Sequence, residues 1–267
     1  MTLSVLQFGC GNMGGAMLTG WLAGGFAPET FTVVDPFMAS APPGVRLLRE
    51  APTDQPPAQV VLLGFKPQQL IEASAAVRPH VGRETLLLSI LAGPDIGTLR
   101  GLFPDAGAIV RVMPNLAAAL GKSPVALCGD AQGPARMLTE QLMAPLGLAE
   151  WLADEADMDL VTALAGSGPA FVYRFIDALA QGAAELGLPR AQADRLALSM
   201  VEGAAALAAA SPHGPGELAR RVASPGGVTQ VGIDVLDNGD RLVRLMQDTL
   251  RGARDRSAQM TAEARGV

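Results

Sequence analysis

Leu3-Ser4-Val5-Leu6-Gln7-Phe8-Gly9-Cys10-Gly11-Asn12-Met13-Gly14 decides the fold of this chain. The apolar run from Leu3 to Phe8 reads as a strand, three glycines follow at GxGxxG spacing, and Met13 to Ala23 reads as a helix that packs through Met17, Leu18 and Leu22. The pattern has meaning only in this setting, between a strand and a helix. Gly9 permits a tight turn, Gly11 opens the backbone to a pyrophosphate and Gly14 lets helix and strand pack closely, while the helix N-terminus faces the phosphates. Phe8, Gly9, Cys10, Gly11, Asn12 and Met13 are therefore candidate cofactor-binding residues.

Phe31 to Val34, Val60 to Leu63, Leu86 to Ile90 and Ile109 to Val112 are further short apolar runs, each ended by Gly, Pro, Asp or Arg. Runs apolar on both faces, separated by helix-length segments, predict a parallel sheet covered by helices. Val125 to Cys128 and Leu148 to Leu152 are expected to extend that sheet at one edge. Asp35 ends the second strand about 20 residues beyond the last glycine, where an acidic side chain accepts hydrogen bonds from the adenine ribose and disfavours a 2′-phosphate, so it leans towards NADH. The plainer reading of Asp35-Pro36 is a turn signal. Phe65, Lys66 and Pro67 follow one buried strand, and Ala92 and Gly93 follow the next. Loops at the C-terminal ends of strands line the dinucleotide crevice, so all five are candidates beside the cofactor, against a solvated loop lysine at Lys66. Asn115, after Met113-Pro114, is a candidate for holding the nicotinamide or a substrate group, or is ordinary turn chemistry.

From Glu155 onward the sequence is helical, over roughly 155–165, 169–187, 191–210, 216–222, 228–237 and 240–262, with no strand-like run left. The division expected is residues 1–154 for dinucleotide binding and 155–267 for a helical domain. Small residues dominate the second part, as in Gly203-Ala204-Ala205-Ala206-Leu207-Ala208-Ala209-Ala210, which suits half of an intertwined dimer; helix propensity alone is the alternative.

Composition bounds the function. The 267 residues are 49% hydrophobic and 17% charged with a net charge of -6, so much of the surface is expected to be covered by another subunit. Lys66 and Lys122 are the only lysines, which argues against a nucleic-acid backbone reader. Cys10 and Cys128 have no metal-ligand spacing, no metal site is expected, and no secretory signal precedes the first strand, so the expectation is a reduced, cytoplasmic protein. Apolar stretches are interrupted well before the roughly 20 residues of a membrane span.

Two segments interrupt the helical half: Gly166-Ser167-Gly168-Pro169-Ala170 and Ser224-Pro225-Gly226-Gly227-Val228-Thr229. Each sets hydroxyls beside free backbone N–H groups at a helix start, an arrangement that grips a small anion. The second is the fuller cradle, and the first reads mainly as the start of the helix from Pro169. Reduction of a ketone makes an alkoxide and calls for a proton donor, yet the helical half has no lysine and its one histidine, His213, lies in a surface-type turn. A C=N bond that arrives protonated needs mainly position and charge complementarity.

Gly166 to Phe171, Gly187-Leu188-Pro189-Arg190 and Ser224 to Thr229 closely resemble the pyrroline-5-carboxylate reductase family. So do Gly9 to Met13, Phe65-Lys66-Pro67 and Val112-Met113-Pro114-Asn115, in the same order over nearly the whole chain. The resemblance implies a Rossmann-type domain followed by an all-α dimerisation domain. It implies reduction of 1-pyrroline-5-carboxylate to L-proline with NADH or NADPH, in a homodimer that can form larger rings. Each site would form where one subunit's cofactor domain meets the helices of its dimer. Carried over by position, Ser224, Gly227, Val228 and Thr229 hold the substrate carboxylate, and Thr229 also bonds the ring nitrogen, making it the candidate catalytic side chain. Leu116 stands where the family usually has Thr, and Arg220-Arg221 where an acidic and a polar residue are usual; an Arg221 reaching from the partner subunit would offset Asp35 and admit NADPH. Two other readings stand beside this one: an imine or hydroxy-acid oxidoreductase of similar fold, and a non-catalytic dinucleotide-binding regulator.

Overall fold

The computed structural model describes residues 3–53 and 55–265. Eight strands form one sheet: β1 (Val5–Phe8), β2 (Phe31–Val34), β3 (Arg46–Leu48), β4 (Val60–Leu63), β5 (Leu86–Ser89), β6 (Ala108–Met113), β7 (Ser123–Gly129) and β8 (Gly147–Trp151). Their spatial order is β3-β2-β1-β4-β5-β6-β7-β8. Pairing is parallel from β3 through β6, β7 runs antiparallel to β6, and β8 is parallel to β7. The chain leaves β1 on one side to build β2 and β3, then returns to build β4 on the other side. That reversal beside β1 is where an open α/β sheet forms a ligand crevice, outside the strand C-termini.

Strand alternation supplies both faces of the core. Val60 and Leu62 face the layer holding Met17, Trp21 and Phe31, whereas Val61 and Leu63 face Leu87, Leu99 and Phe103; all are buried. Burying each such side chain contributes about 1.5–3 kcal/mol, which is why these runs are apolar throughout. Helices α1 (Asn12–Ala23), α2 (Leu70–Val77), α3 (Ile96–Leu102) and α4 (Gly133–Met143) accompany the strands, and α1 is held to the sheet by Trp21, which stacks on Phe31 and donates its indole N–H to the Leu142 carbonyl at 2.6 Å. β3 was not expected from the sequence: it is three residues long, at the sheet edge, and none of them is buried.

The chain divides into two compact units, Met1–Gly166 with Ala253–Val267, and Ser167–Gly252. The first therefore extends past Asp154 and includes the end of the last helix. The expected helix over 155–165 is three pieces: a 3₁₀ turn at Glu155–Asp157, helix α5 (Met158–Val161) and a π-turn at Thr162–Gly166. The Asn115 side-chain N–H donates to the Ala165 carbonyl at 3.0 Å, whose partner in a continued α-helix would be Pro169, a residue with no N–H to give.

The second unit holds α6 (Gly168–Glu185), α7 (Arg190–Ala210), α8 (Pro215–Val222), α9 (Val228–Asp237) and the first part of α10 (Arg241–Arg265). α6 and α7 pack together through Ala180, Ala193 and Ala197, its buried apolar residues among those described. Tyr173, Leu207, Val231 and Val235 are all at least 60% exposed, so this unit leaves far more apolar surface open than it buries. No helix among the described residues is long and apolar enough to cross a membrane.

Candidate functional site

The sheet unit gathers one set of expected residues at the C-terminal ends of its strands. Phe8 closes β1, Asp35 follows β2, Phe65-Lys66-Pro67 follow β4, Ala92-Gly93 lie beyond β5 and Asn115 beyond β6. Gly9 has φ +83°, and a Cβ there would lie 2.6 Å from the Phe65 backbone nitrogen, so only glycine lets the β1 and β4 loops meet. At Gly14 a Cβ would lie 2.6 Å from the Gln7 amide nitrogen, which confirms the helix-to-strand packing role. Around Gly11 the same construction meets only open space. Helix α1 opens without a capping side chain and without an acidic residue in its first turn, which leaves its first N–H groups uncapped.

The Asp35 carboxylate braces this loop. One oxygen accepts the Cys10 N–H at 2.7 Å, and the other accepts the N–H groups of Phe37 and Met38 at 2.8 and 3.0 Å. The second oxygen is fully used, and one acceptor position remains on the first. Burial pushes the Cys10 thiol above its usual range, with the Asp35 charge adding to the rise and the Gln7 side chain opposing it. The Cys10 thiol is therefore held neutral at physiological pH.

Lys66 is exposed, and its backbone N–H donates to the Gln69 side chain at 3.2 Å. Asn115 is buried, and both polar atoms of its side chain have partners: the oxygen accepts from Ala117 N–H at 2.9 Å and the nitrogen donates to Ala165. Its backbone N–H donates to the Ser123 hydroxyl at 2.9 Å. Arg111, one turn of strand earlier and also buried, pairs with Glu155 at 2.8 Å, and the same carboxylate oxygen accepts the Ile96 N–H at 2.9 Å. This link between the last parallel strand and the first helical residues was not foreseen, since an arginine inside an apolar strand reads from sequence only as a strand end.

Ser224, Gly227, Val228 and Thr229 lie together in the second unit. Gly226 has φ +71°, and the Gly227 N–H donates to the Ser224 carbonyl at 2.9 Å, closing a turn that delivers the chain into α9. No side chain caps α9 and no acidic residue lies in its first turn. Ser224 and Thr229 are exposed, Val228 is 94% exposed, and among the described residues neither hydroxyl has a hydrogen-bond partner. At the other interrupted segment, Ser167 adopts a helical conformation and its side chain caps nothing, while Pro169 sits in the first turn of α6, as expected of a helix start. Arg221 and Arg220 both bond to Glu217, at 3.0 and 2.8 Å.

Both halves of this arrangement have counterparts in known proteins. Residues 155–260 match the family model described as pyrroline-5-carboxylate reductase dimerisation. The chain is 34% identical to pyrroline-5-carboxylate reductase of Pseudomonas aeruginosa, covering 98% of each, and 31% identical to that of Pasteurella multocida, covering 96% of this chain and 97% of the relative. Among solved structures, a pyrroline-5-carboxylate reductase from Coxiella burnetii superposes with a TM-score of 0.90 at 27% identity, covering 98% of this chain and 99% of that one. With the glycine loop at one end of that shared length and the Ser224–Thr229 turn towards the other, the chain belongs to the pyrroline-5-carboxylate reductase family.

Proposed function

We infer that this protein reduces the C=N bond of 1-pyrroline-5-carboxylate to give L-proline, the last step of proline biosynthesis, as an NAD(P)H-dependent oxidoreductase. The observation that carries the reading is the turn at Ser224–Thr229, with two hydroxyls that have no partner among the described residues and an uncapped helix start in an exposed setting. The functional boundary is placed at residue 154, with dinucleotide binding before it and substrate binding and dimerisation after it.

The residues of the glycine loop fit a dinucleotide, since Gly9 and Gly14 have no room for a Cβ and the first turn of α1 is uncapped. When bound, the reduced nicotinamide supplies a hydride. The backbone N–H groups at Gly11, Asn12 and Met13 hold the pyrophosphate, and Phe65, Lys66, Pro67, Ala92 and Gly93 line the crevice beside them. Asn115 acts through position, fixing the loop after β6 against the π-turn. In the helical domain, the N–H groups of Val228 and Thr229 with the Ser224 hydroxyl hold the substrate carboxylate, and Gly227, whose own N–H closes the turn on the Ser224 carbonyl, sets them in place. Thr229 bonds the ring nitrogen and keeps the imine carbon oriented. Because the product is a neutral amine and no alkoxide forms, the site needs no lysine or histidine acid.

The protein works as a homodimer formed through the helical domain, with each site shared between one subunit's cofactor domain and its partner's helices, and with rings of dimers as a further level of assembly. The cytoplasm is its expected compartment. Purified protein mixed with pyrroline-5-carboxylate and NADH or NADPH tests the activity: loss of absorbance at the nicotinamide band with formation of proline is expected. No absorbance loss with either cofactor contradicts it.

A further inference from the structure

A residue that no motif marks, Arg49, lies at the adenosine end of the crevice. β3 ends at Leu48, whose carbonyl accepts the Asp35 N–H at 3.0 Å, so Arg49 emerges beside Asp35 at the same edge of the sheet. The segment after β2 wraps around its guanidinium. One terminal nitrogen of Arg49 donates to the carbonyls of Asp35 at 3.2 Å and Pro36 at 3.4 Å, and also to Met38; the other donates to Ala39 at 3.4 Å. Arg49 is nonetheless exposed, and among the described residues no carboxylate forms an ion pair with it. A guanidinium carries five N–H donors, and its Nε–H and one Nη2–H have no partner among the described residues.

We propose that Arg49 is the specificity-determining residue for the cofactor's adenosine end, and that it makes the site select a dinucleotide carrying a 2′-phosphate. The adenine ribose of a dinucleotide lies at the C-terminal end of the second strand, which is where Asp35 and Arg49 stand side by side. Asp35 alone disfavours a 2′-phosphate, but three backbone N–H groups already lie on its carboxylate, which offsets its charge and leaves it one acceptor position. Arg49 has the opposite balance: an uncompensated positive charge, two spare donors and a planar fork suited to phosphate. The four carbonyls that hold it fix that fork in place before any ligand arrives, which reduces the entropy lost on binding.

The proposal rests on the dinucleotide reading of the glycine loop, and its test is binding without turnover. The full-length protein is titrated by calorimetry with 5′-AMP and with adenosine 2′,5′-bisphosphate, which differ only in the 2′-phosphate. The wild-type protein is expected to bind the bisphosphate about tenfold more tightly. Arg49→Gln is expected to erase that difference while leaving 5′-AMP affinity within about twofold, and Arg49→Lys to keep most of it. Equal weakening of both ligands by Arg49→Gln would make Arg49 a loop brace only and overturn the proposal. So would equal affinity of the wild-type protein for the two nucleotides. The wild-type pair and Arg49→Lys decide the matter if Arg49→Gln does not fold. Because both ligands lack a nicotinamide, failure of the proposal is separate from failure of the reductase assay.

Discussion

The glycine loop at Gly9–Gly14 and the turn at Ser224–Thr229 are both helix starts with no capping side chain, yet they are built in opposite ways. The first is held from below and from the side: Gly9 against the Phe65 backbone, Gly14 against Gln7, Cys10 on the Asp35 carboxylate. The second has one hydrogen bond across the turn, exposed hydroxyls and a Val228 side chain almost wholly in solvent. A rigid loop on a buried sheet is complete within one chain. An exposed turn on helices whose buried apolar residues are alanines has little packing of its own to hold it. One region is preorganised by its own unit, and under the shared-site reading proposed above the other is completed by assembly.

Substitutions should separate them. Gly9→Ala forces a side chain onto a φ of +83° and into the β4 loop, and is expected to cost about 1–3 kcal/mol and to abolish measurable cofactor binding. A variant that melts like the wild type and still binds cofactor would show that the loop is softer than its contacts imply. Thr229→Ala should do the reverse, lowering kcat about tenfold or more while cofactor affinity and Tm stay unchanged. Unchanged kcat with weakened NADH or NADPH affinity would move Thr229 to the nucleotide side.

The smallest effect concerns the sheet unit alone. His80 is buried, 5.8 Å from the Phe8 ring, and its Nδ1 has no hydrogen-bond partner among the described residues. Burial lowers its pKa from the ordinary 6.5, so the folded state favours the neutral ring. Its contribution to stability is present above pH 6.5 and is lost as the pH falls from that unfolded value through the lower folded one. Denaturant unfolding at pH 7.5 and about 5.5 should show a loss that His80→Leu reduces. The same loss in both proteins would place the sensitivity elsewhere.

The parts legible in the sequence are those where one residue type answers one local demand. Glycines at strand ends, doubly apolar strands and Pro169 in a first turn predict the sheet, its crevice and the start of α6. The parts that were not legible arise from contacts across the sheet. Arg46–Leu48 is too short and too polar-flanked to signal a strand, and without β3 nothing places Arg49 beside Asp35. Asn115, which reads from sequence as a ligand contact or ordinary turn chemistry, bonds across about 50 residues to the Ala165 carbonyl in the π-turn at Thr162–Gly166. Asp35 likewise looks like a ribose acceptor from its spacing, while its three backbone bonds emerge only once β1 and β2 are paired.

The division of labour between a self-sufficient loop and an assembly-dependent turn is tested most directly by complementation. Gly9→Ala and Thr229→Ala chains, each with about a tenth or less of wild-type activity alone, are co-expressed and purified together through different tags. If one subunit's cofactor domain works with its partner's Ser224–Thr229 turn, a mixed dimer keeps one intact site of two. Selection through both tags leaves mixed dimers alone, and about half of wild-type activity per chain returns. If both halves of a site came from the same chain, every site in the mixture would carry a defect, and the co-expressed protein would be as inactive as either parent.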